Sequence, residues 1–202
     1  MSYRTAIIAA ALMAVASGAH AGGDPTKGEA LMKKHECFSC HANDGNSKNP
    51  KYPKIAGQHE NYIIKQLTEY KAGVRKNDQM AQVAAELSEQ DMVDLAAYFS
   101  QQTPGSGIAD ETQVALGEKI YRGGTASGVS SCIGCHGPNG AGNPLAKFPR
   151  IGGQHASYTG VQLRAFRTGA RANDAGQMMR NIASRMSDAE MEALAQYIAG
   201  LQ

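Results

Sequence analysis

Cys37-Phe38-Ser39-Cys40-His41 decides the fold of this chain, because the same Cys-x-x-Cys-His pattern returns at Cys132-Ile133-Gly134-Cys135-His136. The two pentapeptides contain all four cysteines of the sequence. This pattern is typical of a c-type haem attachment site, in which two thiols bond one haem and the histidine binds its iron. We therefore predict two covalently bound haem c groups. Their predicted attachment residues are Cys37, Cys40, Cys132 and Cys135, and the predicted proximal iron ligands are His41 and His136.

Disulfides and zinc sites are the two alternatives for these cysteines. An exported chain with an even number of cysteines is often a disulfide scaffold, and Cys and His are also zinc ligands. Each pair, however, is separated by only two residues and is followed by His. Two Cys and one His would leave a zinc site short of its usual four ligands. The spacing therefore favours haem.

The first 21 residues have the pattern of a secretory signal peptide. Arg4 provides a positive start, Ala6 to Ala16 is an uninterrupted apolar run, and Ala19-His20-Ala21 is a small-x-small cleavage site. A retained membrane anchor is the alternative, but the apolar run has about 11 residues where a spanning helix needs roughly 20. We predict cleavage of residues 1–21, a mature chain that begins at Gly22, and export to the periplasm.

The predicted mature chain is almost neutral. The sequence has 20 Lys and Arg residues against 18 Asp and Glu residues, and removal of Arg4 leaves 19 against 18. Binding to a phosphate backbone requires a dense basic patch, so nucleic acid is not expected as a partner. We expect a monomer. The sequence leaves open whether the protein associates loosely with the membrane.

A second copy of the first half follows 96 residues later. Pro53-Lys54-Ile55-Ala56-Gly57-Gln58-His59 returns as Pro149-Arg150-Ile151-Gly152-Gly153-Gln154-His155. Further matched pairs are Tyr62 and Tyr158, Gln66 and Gln162, Arg75 and Arg171, Asn77 and Asn173, and Asp78 and Asp174. Such a repeat indicates two units of one architecture. Each unit is small for an independent hydrophobic core, and a buried haem would supply the missing apolar mass. We predict domains at 22–103 and 104–202, with the linker at 103–107.

Each half contains the signals of the same helices and no strand signal of comparable strength. Asp24-Pro25 begins the first helix, and a segment from about Asp110 to Arg122 is its counterpart. Glu60 to Lys71 has the apolar spacing of a middle helix. The capping boxes that begin the last helix of each half are Ser88 with Asp91 and Ser187 with Glu190. The predicted fold class is all-α.

The residue on the other side of each iron decides the function, because an open iron binds small molecules while a second protein ligand favours electron transfer. In the first half we predict Met80, the soft donor in what we expect to be a loop. In the second half Met178 and Met179 compete. Met80 lies seven residues before Leu87, at the start of the last helix. Only Met179 keeps that distance from Met186, the counterpart of Leu87, so we choose Met179.

A repeated pair of histidines is the rival to these methionines. His59 and His155 would give bis-histidine haems, but we expect them to be partly exposed or hydrogen-bonded near a haem edge. His35 is tethered too close to the attachment site to reach the far face of the haem, so we predict a surface residue. The remaining helical methionines are predicted to pack in the core, which is the commonest use of Met. They are Met32, Met92, Met186 and Met191.

Together these motifs resemble the diheme cytochrome c4 family, exported bacterial electron carriers with two class I cytochrome c domains in tandem. The resemblance covers both Cys-x-x-Cys-His motifs, the Pro-x-Ile-x-Gly-Gln segments, both methionine segments and both last helices. It implies an all-α fold of two domains related by pseudo-twofold symmetry, each wrapped around one covalent haem. It also implies His/Met ligation at both irons, haems that approach across the interface, and a proline carbonyl that holds the proximal histidine. Pro53 and Pro149 match that motif.

The expected function is a periplasmic electron carrier without catalytic residues. The resemblance implies membrane-bound partners, a quinol–cytochrome c reductase as donor and a terminal oxidase as acceptor. The alternatives are a diheme peroxidase-like enzyme, and a haem sensor or subunit of a larger oxidoreductase with one open iron. CO separates these classes, because it binds an open ferrous iron and binds poorly to one that methionine closes.

Overall fold

The computed structural model describes residues 22–201, so the predicted signal peptide lies outside the described residues. Ten α-helices follow one another in this part of the chain. The first half contains α1 (Pro25–Lys34), α2 (Phe38–His41), α3 (Glu60–Lys71), α4 (Asp78–Ala85) and α5 (Glu89–Ser100). The second half contains α6 (Glu111–Gly123), α7 (Ile133–His136), α8 (Ala156–Thr168), α9 (Met178–Ala183) and α10 (Asp188–Gly200), with a 3₁₀ turn at Ala175–Gln177. Within residues 22–201 the β pairing is one isolated bridge, between Asn143 and Phe148.

Polar side chains begin the principal helices as the sequence predicts. Asp24 Oδ1 accepts hydrogen bonds from the amides of Thr26 and Lys27, and Asp110 accepts one from Thr112. Both capping boxes are formed, Ser88 with Asp91 and Ser187 with Glu190. These bonds satisfy amides that have no partner in the first turn of a helix. The predicted starts of α1, α5, α6 and α10 are therefore confirmed.

The first and last helices of each half pack against each other, α1 on α5 and α6 on α10. Gly28 and Gly117 lie at the two contacts. A Cβ atom on Gly28 would lie 2.1 Å from the carbonyl oxygen of Asp94, and one on Gly117 would lie 2.1 Å from that of Ala193. Glycine is needed there because only a residue without a side chain lets the backbones approach so closely. Helices α3 and α4 complete the first bundle, and α8 and α9 complete the second.

Each half has its own hydrophobic core. Buried residues of the first core come mostly from α1, α3 and α5, and those of the second come mostly from α6, α8 and α10. The methionines that the sequence assigned to the core are buried there. They are Met32 and Met92 in the first half and Met186 and Met191 in the second. The core position of these four residues is confirmed, although Met186 lies just before α10 and not within a helix.

The segments that carry the predicted methionine ligands differ from the expected loops. Met80 lies in α4 and Met179 lies in α9. Asn77 explains the first case, because its side chain accepts a hydrogen bond from the amide of Met80 at 2.9 Å and caps α4. In the second half the three additional residues, Ala175–Gln177, form the 3₁₀ turn before α9.

The prediction of a surface position for His35 is wrong. Its side chain is only 6% exposed, and Nδ1 lies 3.3 Å from Oε2 of Glu86. His35 caps the C-terminal end of α1, and Glu86 caps that of α4, just before α5 begins. Because α1 packs against α5, the segment that leads into α5 covers the ring of His35.

The two halves meet through reciprocal hydrogen bonds. Gln58 donates from Nε2 to the carbonyl of Arg150 and accepts at Oε1 from the amide of Arg150, both at 2.9 Å. Gln154 makes the same pair of bonds with Lys54, at 2.8 and 2.9 Å. Each contact thus recurs with the halves exchanged, as pseudo-twofold symmetry requires. Among residues 22–201, no helix has both the length and the apolar character needed to cross a membrane.

Candidate haem sites and the interface between them

The two Cys-x-x-Cys-His segments form the short helices α2 and α7, each held to the helix before it. The amide of Cys37 donates to the carbonyl of Met32, and the amide of Cys132 donates to that of Tyr121, both at 2.9 Å. All four cysteines are free thiols with partly exposed side chains. The disulfide alternative is therefore not formed, and each pair presents two thiols beside the end of the first helix of its half.

The zinc alternative has no suitable set of ligands in the described part of the chain. No three His, Cys, Asp or Glu side chains within residues 22–201 are grouped so that they could hold a metal ion. Burial also raises the pKa of the Cys37 thiol to about 11 and that of Cys132 to about 12. Zinc binds the thiolate, so this environment opposes the form that zinc requires.

His41 and His136 are buried in the same way in the two halves. Nδ1 of His41 donates a hydrogen bond to the carbonyl of Pro53 at 2.9 Å, and Nδ1 of His136 donates to that of Pro149 at 3.0 Å. A carbonyl only accepts, so each bond fixes the proton on Nδ1 and leaves Nε2 with its lone pair. Burial lowers the pKa of both rings, although the proline carbonyls act in the opposite direction. Both rings are thus neutral, oriented and able to bind iron through Nε2.

Met80 and Met179 are partly buried and pack against the core of their own half. Met178 is 43% exposed, so burial supports the choice of Met179 over its neighbour. In the first half Nε2 of Gln79, next to Met80, lies 3.5 Å from Sγ of Cys40. Helix α4 therefore runs beside the attachment segment. The ligand assignment to Met80 and Met179 stays a prediction.

His59 and His155 lie at the interface between the halves. Nε2 of His155 donates to the carbonyl of Ser47 in the other half at 2.8 Å. Burial lowers the pKa of both rings. The hydrogen bond of His155 agrees with the expectation of a hydrogen-bonded ring. Nε2 of His59, in contrast, is buried without a hydrogen-bond partner among the described residues.

A buried polar network crosses the interface around Arg75 and Arg171. Arg75 donates to Oε1 of Gln66 at 2.7 Å and, from Nη2, to the hydroxyl of Tyr158 at 2.9 Å. It also donates to Oε1 of Gln162 at 3.0 Å. The exchanged contacts of Arg171 are with Gln162 at 2.7 Å, Tyr62 at 2.9 Å and Gln66 at 3.3 Å. Sequence reasoning found these residues as matched pairs but assigned them no role; a charged residue repeated in both halves was the available signal.

The two guanidinium groups of this network are buried cations. Arg75 is 6% exposed and Arg171 is 9% exposed, and within residues 22–201 neither forms an ion pair with a carboxylate. Burial acts to lower the pKa of Arg75, but the neighbouring tyrosine hydroxyls raise it above its ordinary value. Buried charges need compensation. An anionic group such as a haem propionate fits that requirement.

The residues of each half fit a covalent haem c. Each half offers two free thiols, a neutral histidine with Nε2 available and a methionine at the edge of the same core. The interface adds the two buried guanidinium groups, and Nε of Arg150 is buried without a hydrogen-bond partner among the described residues. The thiols match the thioether bonds of such a group, the histidine and methionine match its iron, and the arginine N–H groups match its propionates.

Comparison with known proteins agrees with this geometry. The family described as cytochrome c matches residues 25–103 and again 114–202. Cytochrome c4 of Stutzerimonas stutzeri is 47% identical over 194 residues, which are 91% of each chain. A "Thiosulfate dehydrogenase electron acceptor" of Stutzerimonas stutzeri strain A1501 is 36% identical over 182 residues, covering 87% of this chain and 83% of that protein.

A solved structure gives the same result for the whole fold. The crystal structure of reduced recombinant cytochrome c4 from Pseudomonas stutzeri superposes with a TM-score of 0.86 at 46% identity, covering 89% of this chain and 100% of that one. The predicted all-α fold of two tandem cytochrome c domains is therefore confirmed, as is the prediction of two covalently bound haem c groups. The chain is a diheme electron carrier and belongs to the cytochrome c4 family.

Proposed function

We propose that this carrier works in the periplasm, between a quinol–cytochrome c reductase and a terminal oxidase. We propose further that residues 1–21 are removed on export and that the domains are 22–103 and 104–202. The iron ligands are His41 with Met80 and His136 with Met179, and the haems are bonded to the four cysteines. The observation that carries the proposal is the same proline-held histidine and core-packed methionine in both halves.

The haem iron supplies the one-electron ferric–ferrous couple. The residues of the chain keep the surroundings of that couple unchanged between the two oxidation states. The carbonyls of Pro53 and Pro149 hold the histidine rings in one orientation, so the rings need not turn when the charge changes. The methionines pack against the cores of their halves, which holds their segments in place. A methionine sulfur favours a high reduction potential, which suits a carrier that delivers electrons to an oxidase.

A second candidate donor is a thiosulfate-oxidising dehydrogenase. Relatives that carry the name "Thiosulfate dehydrogenase electron acceptor" are 36% and 37% identical to this chain. Reduction of the purified holoprotein by each donor, followed by stopped-flow absorbance, distinguishes the two. Fast reduction by the quinol-oxidising complex and slow reduction by the dehydrogenase support the proposal; the reverse order supports the second candidate.

Substitution of the proposed ligands tests the mechanism. We expect Met179→Ala to remove about half of the red methionine-to-ferric charge-transfer absorbance and to let CO bind about half of the ferrous haem, since it opens one of two irons. Met178→Ala is the matched control and should leave both signals unchanged, because that side chain is exposed. CO binding to half the haem of the unaltered protein would contradict the carrier mechanism and favour the peroxidase-like or sensor alternative.

A further inference from the structure

The two halves differ in one ion pair on the middle helix. In α3, Nζ of Lys65 lies 2.6 Å from Oε2 of Glu69, and the two side chains are only 28% and 22% exposed. The matching positions in α8, 96 residues later, are Val161 and Ala165. The second half therefore cannot form this pair, and the pseudo-twofold symmetry of the interface is broken here.

The same ion pair binds a residue of the other half. Lys65 Nζ donates to the backbone carbonyl of Asn173 at 2.6 Å. Nδ2 of Asn173 donates to Oε2 of Glu69 at 2.6 Å and to Oε1 of Gln66 at 2.9 Å. Asn173 is buried, so these bonds hold both its main chain and its side chain in a place with little water. Bonds to charged groups in such surroundings are stronger than ordinary ones.

The counterpart in the first half is used differently. Asn77 accepts from the amide of Met80 and caps α4. Among the described residues, the side chain of Asn77 therefore bonds only within its own half. The segment of Met80 is held locally, by a residue three positions away.

The segment of Met179 begins at Asn173, whose side chain bonds to α3 and does not cap α9. Asp174, the next residue, accepts from the amide of Arg180 at 2.9 Å and from its Nε at 2.7 Å. Between them lie Gly176 and Gln177, both with φ of 58°, a conformation that non-glycine residues rarely adopt. Within the second half, Oδ1 of Asn173 accepts from Nε of Arg171 at 3.0 Å. The carbonyl and Nδ2 of Asn173 bond to α3 of the first half. The start of this segment is thus held in part by the first half, and Asp174 links it to α9.

We propose that Lys65 and Glu69 are positioning residues for Met179, so that the methionine ligand of the second haem depends on the first half of the chain. The methionine ligand of the first haem does not depend on the second half in this way. The inference rests on the proposed ligand assignment. Loss of this contact opens the second iron and leaves the first closed.

The test converts α3 to the residues that α8 carries at the same positions, Lys65→Val with Glu69→Ala. Both charges are removed together, so no unpaired buried ion remains. We expect the methionine-to-ferric absorbance of the holoprotein to fall by up to half, and CO to bind up to half of the ferrous haem. Amide hydrogen exchange should speed up at least tenfold in α9 and stay unchanged in α4.

A matched control is the pair Glu29 and Lys33 on α1. It has the same spacing and a 2.6 Å contact, but both side chains are largely exposed. Glu29→Ala with Lys33→Val should leave the spectrum, CO binding and hydrogen exchange unchanged. Glu69→Gln, which can still accept from Asn173, should retain most of the absorbance that the double variant loses.

Two results overturn the inference. One is an unchanged methionine absorbance in the Lys65→Val, Glu69→Ala protein while Met179→Ala still removes half of it. The other is an equal loss of methionine absorbance from both haems, which indicates a general structural role. To separate the two haems, the double variant is repeated in a Met80→Ala background, where the remaining methionine absorbance comes from the second half. If Met179→Ala itself has no effect, the ligand assignment has failed instead, and the two failures are distinguishable.

Discussion

Single glycines set the distance between the first and last helices of each half. Gly117 packs so closely against α10 that a Cβ would lie 2.1 Å from the carbonyl of Ala193 and 2.6 Å from Cβ of Tyr197. Backbone atoms cannot give way as the end of a side chain can. The whole of α6 must therefore move before any larger residue fits, and the core of the second half must open with it.

We expect Gly117→Ala to destabilise the protein by about 1–3 kcal/mol, the usual effect of overpacking a tight contact. Denaturant unfolding followed by far-UV circular dichroism measures this change. Gly123→Ala in the same helix is the control. Apart from the adjoining backbone of α6, nothing lies within 4 Å of the position of its Cβ, and alanine is the better helix former. Equal stabilities of the two variants would show that the contact between α6 and α10 is looser than the structure has it.

At the scale of the helix, the capping boxes give α5 and α10 the same start in both halves. Ser88 Oγ accepts from the amide of Asp91 at 3.1 Å, and the carboxylate of Asp91 accepts from the amide of Ser88 at 2.9 Å. Hydrogen bonds from Ser88 lower the pKa of Asp91. A helix start with this much local support can be predicted from four residues, because every bond spans at most three positions.

We expect Ser88→Ala to destabilise the protein by about 1 kcal/mol at neutral pH. Because the pKa of Asp91 is lower in the folded protein, its contribution is complete above the ordinary pKa of a carboxyl group and is lost as the pH falls through the lowered value. The difference between variant and unaltered protein should therefore shrink in acid.

Urea unfolding at neutral pH and at a pH well below the ordinary carboxyl pKa of about 4 measures both effects. Ser130→Ala is the control, because Ser130 is exposed in the segment between α6 and α7 and makes no side-chain hydrogen bond within residues 22–201. A difference for Ser88→Ala that stays constant down to the lower pH would show that the carboxylate of Asp91 adds nothing to the cap.

At the scale of the whole molecule, polar groups join the two halves. Gln58 and Gln154 each donate to and accept from the backbone of the other half. Two buried guanidinium groups lie in the same interface. Such contacts need exact partners, because a buried polar group without one is costly, so the orientation of the two domains is specified more strongly than a purely apolar contact would specify it.

We expect the double substitution Gln58→Ala and Gln154→Ala to uncouple the domains. Each change leaves an amide and a carbonyl of the backbone without their partner, at about 1–3 kcal/mol for each unsatisfied group. Calorimetry should then show two separated unfolding transitions, and small-angle scattering should show a larger radius of gyration. Gln90→Ala is the control, since Gln90 bonds to Asp94 within its own half. An unchanged radius and unfolding profile would argue against a role of these glutamines in holding the halves together.

Much of this protein could be predicted from its sequence where the deciding contacts are short. The starts of α1, α5, α6 and α10 and the core positions of four methionines were predicted correctly. The position of His35 and the helical state of the Met80 and Met179 segments were not. The burial of His35 depends on the packing of α1 against α5, which joins residues far apart in sequence. The residues from Asn77 to Met80 are compatible with either a loop or a capped helix, and the sequence does not decide between them.

The sequence by itself determined the two haem attachment motifs, the duplication and the all-α class, because covalent chemistry and helix periodicity act between residues a few positions apart. Only the tertiary structure decided which groups meet between the halves. The bonds from Arg171 to Tyr62 and from Lys65 to Asn173 join residues 109 and 108 positions apart. No local pattern encodes such contacts, because they exist only where the two cores pack against each other in one orientation.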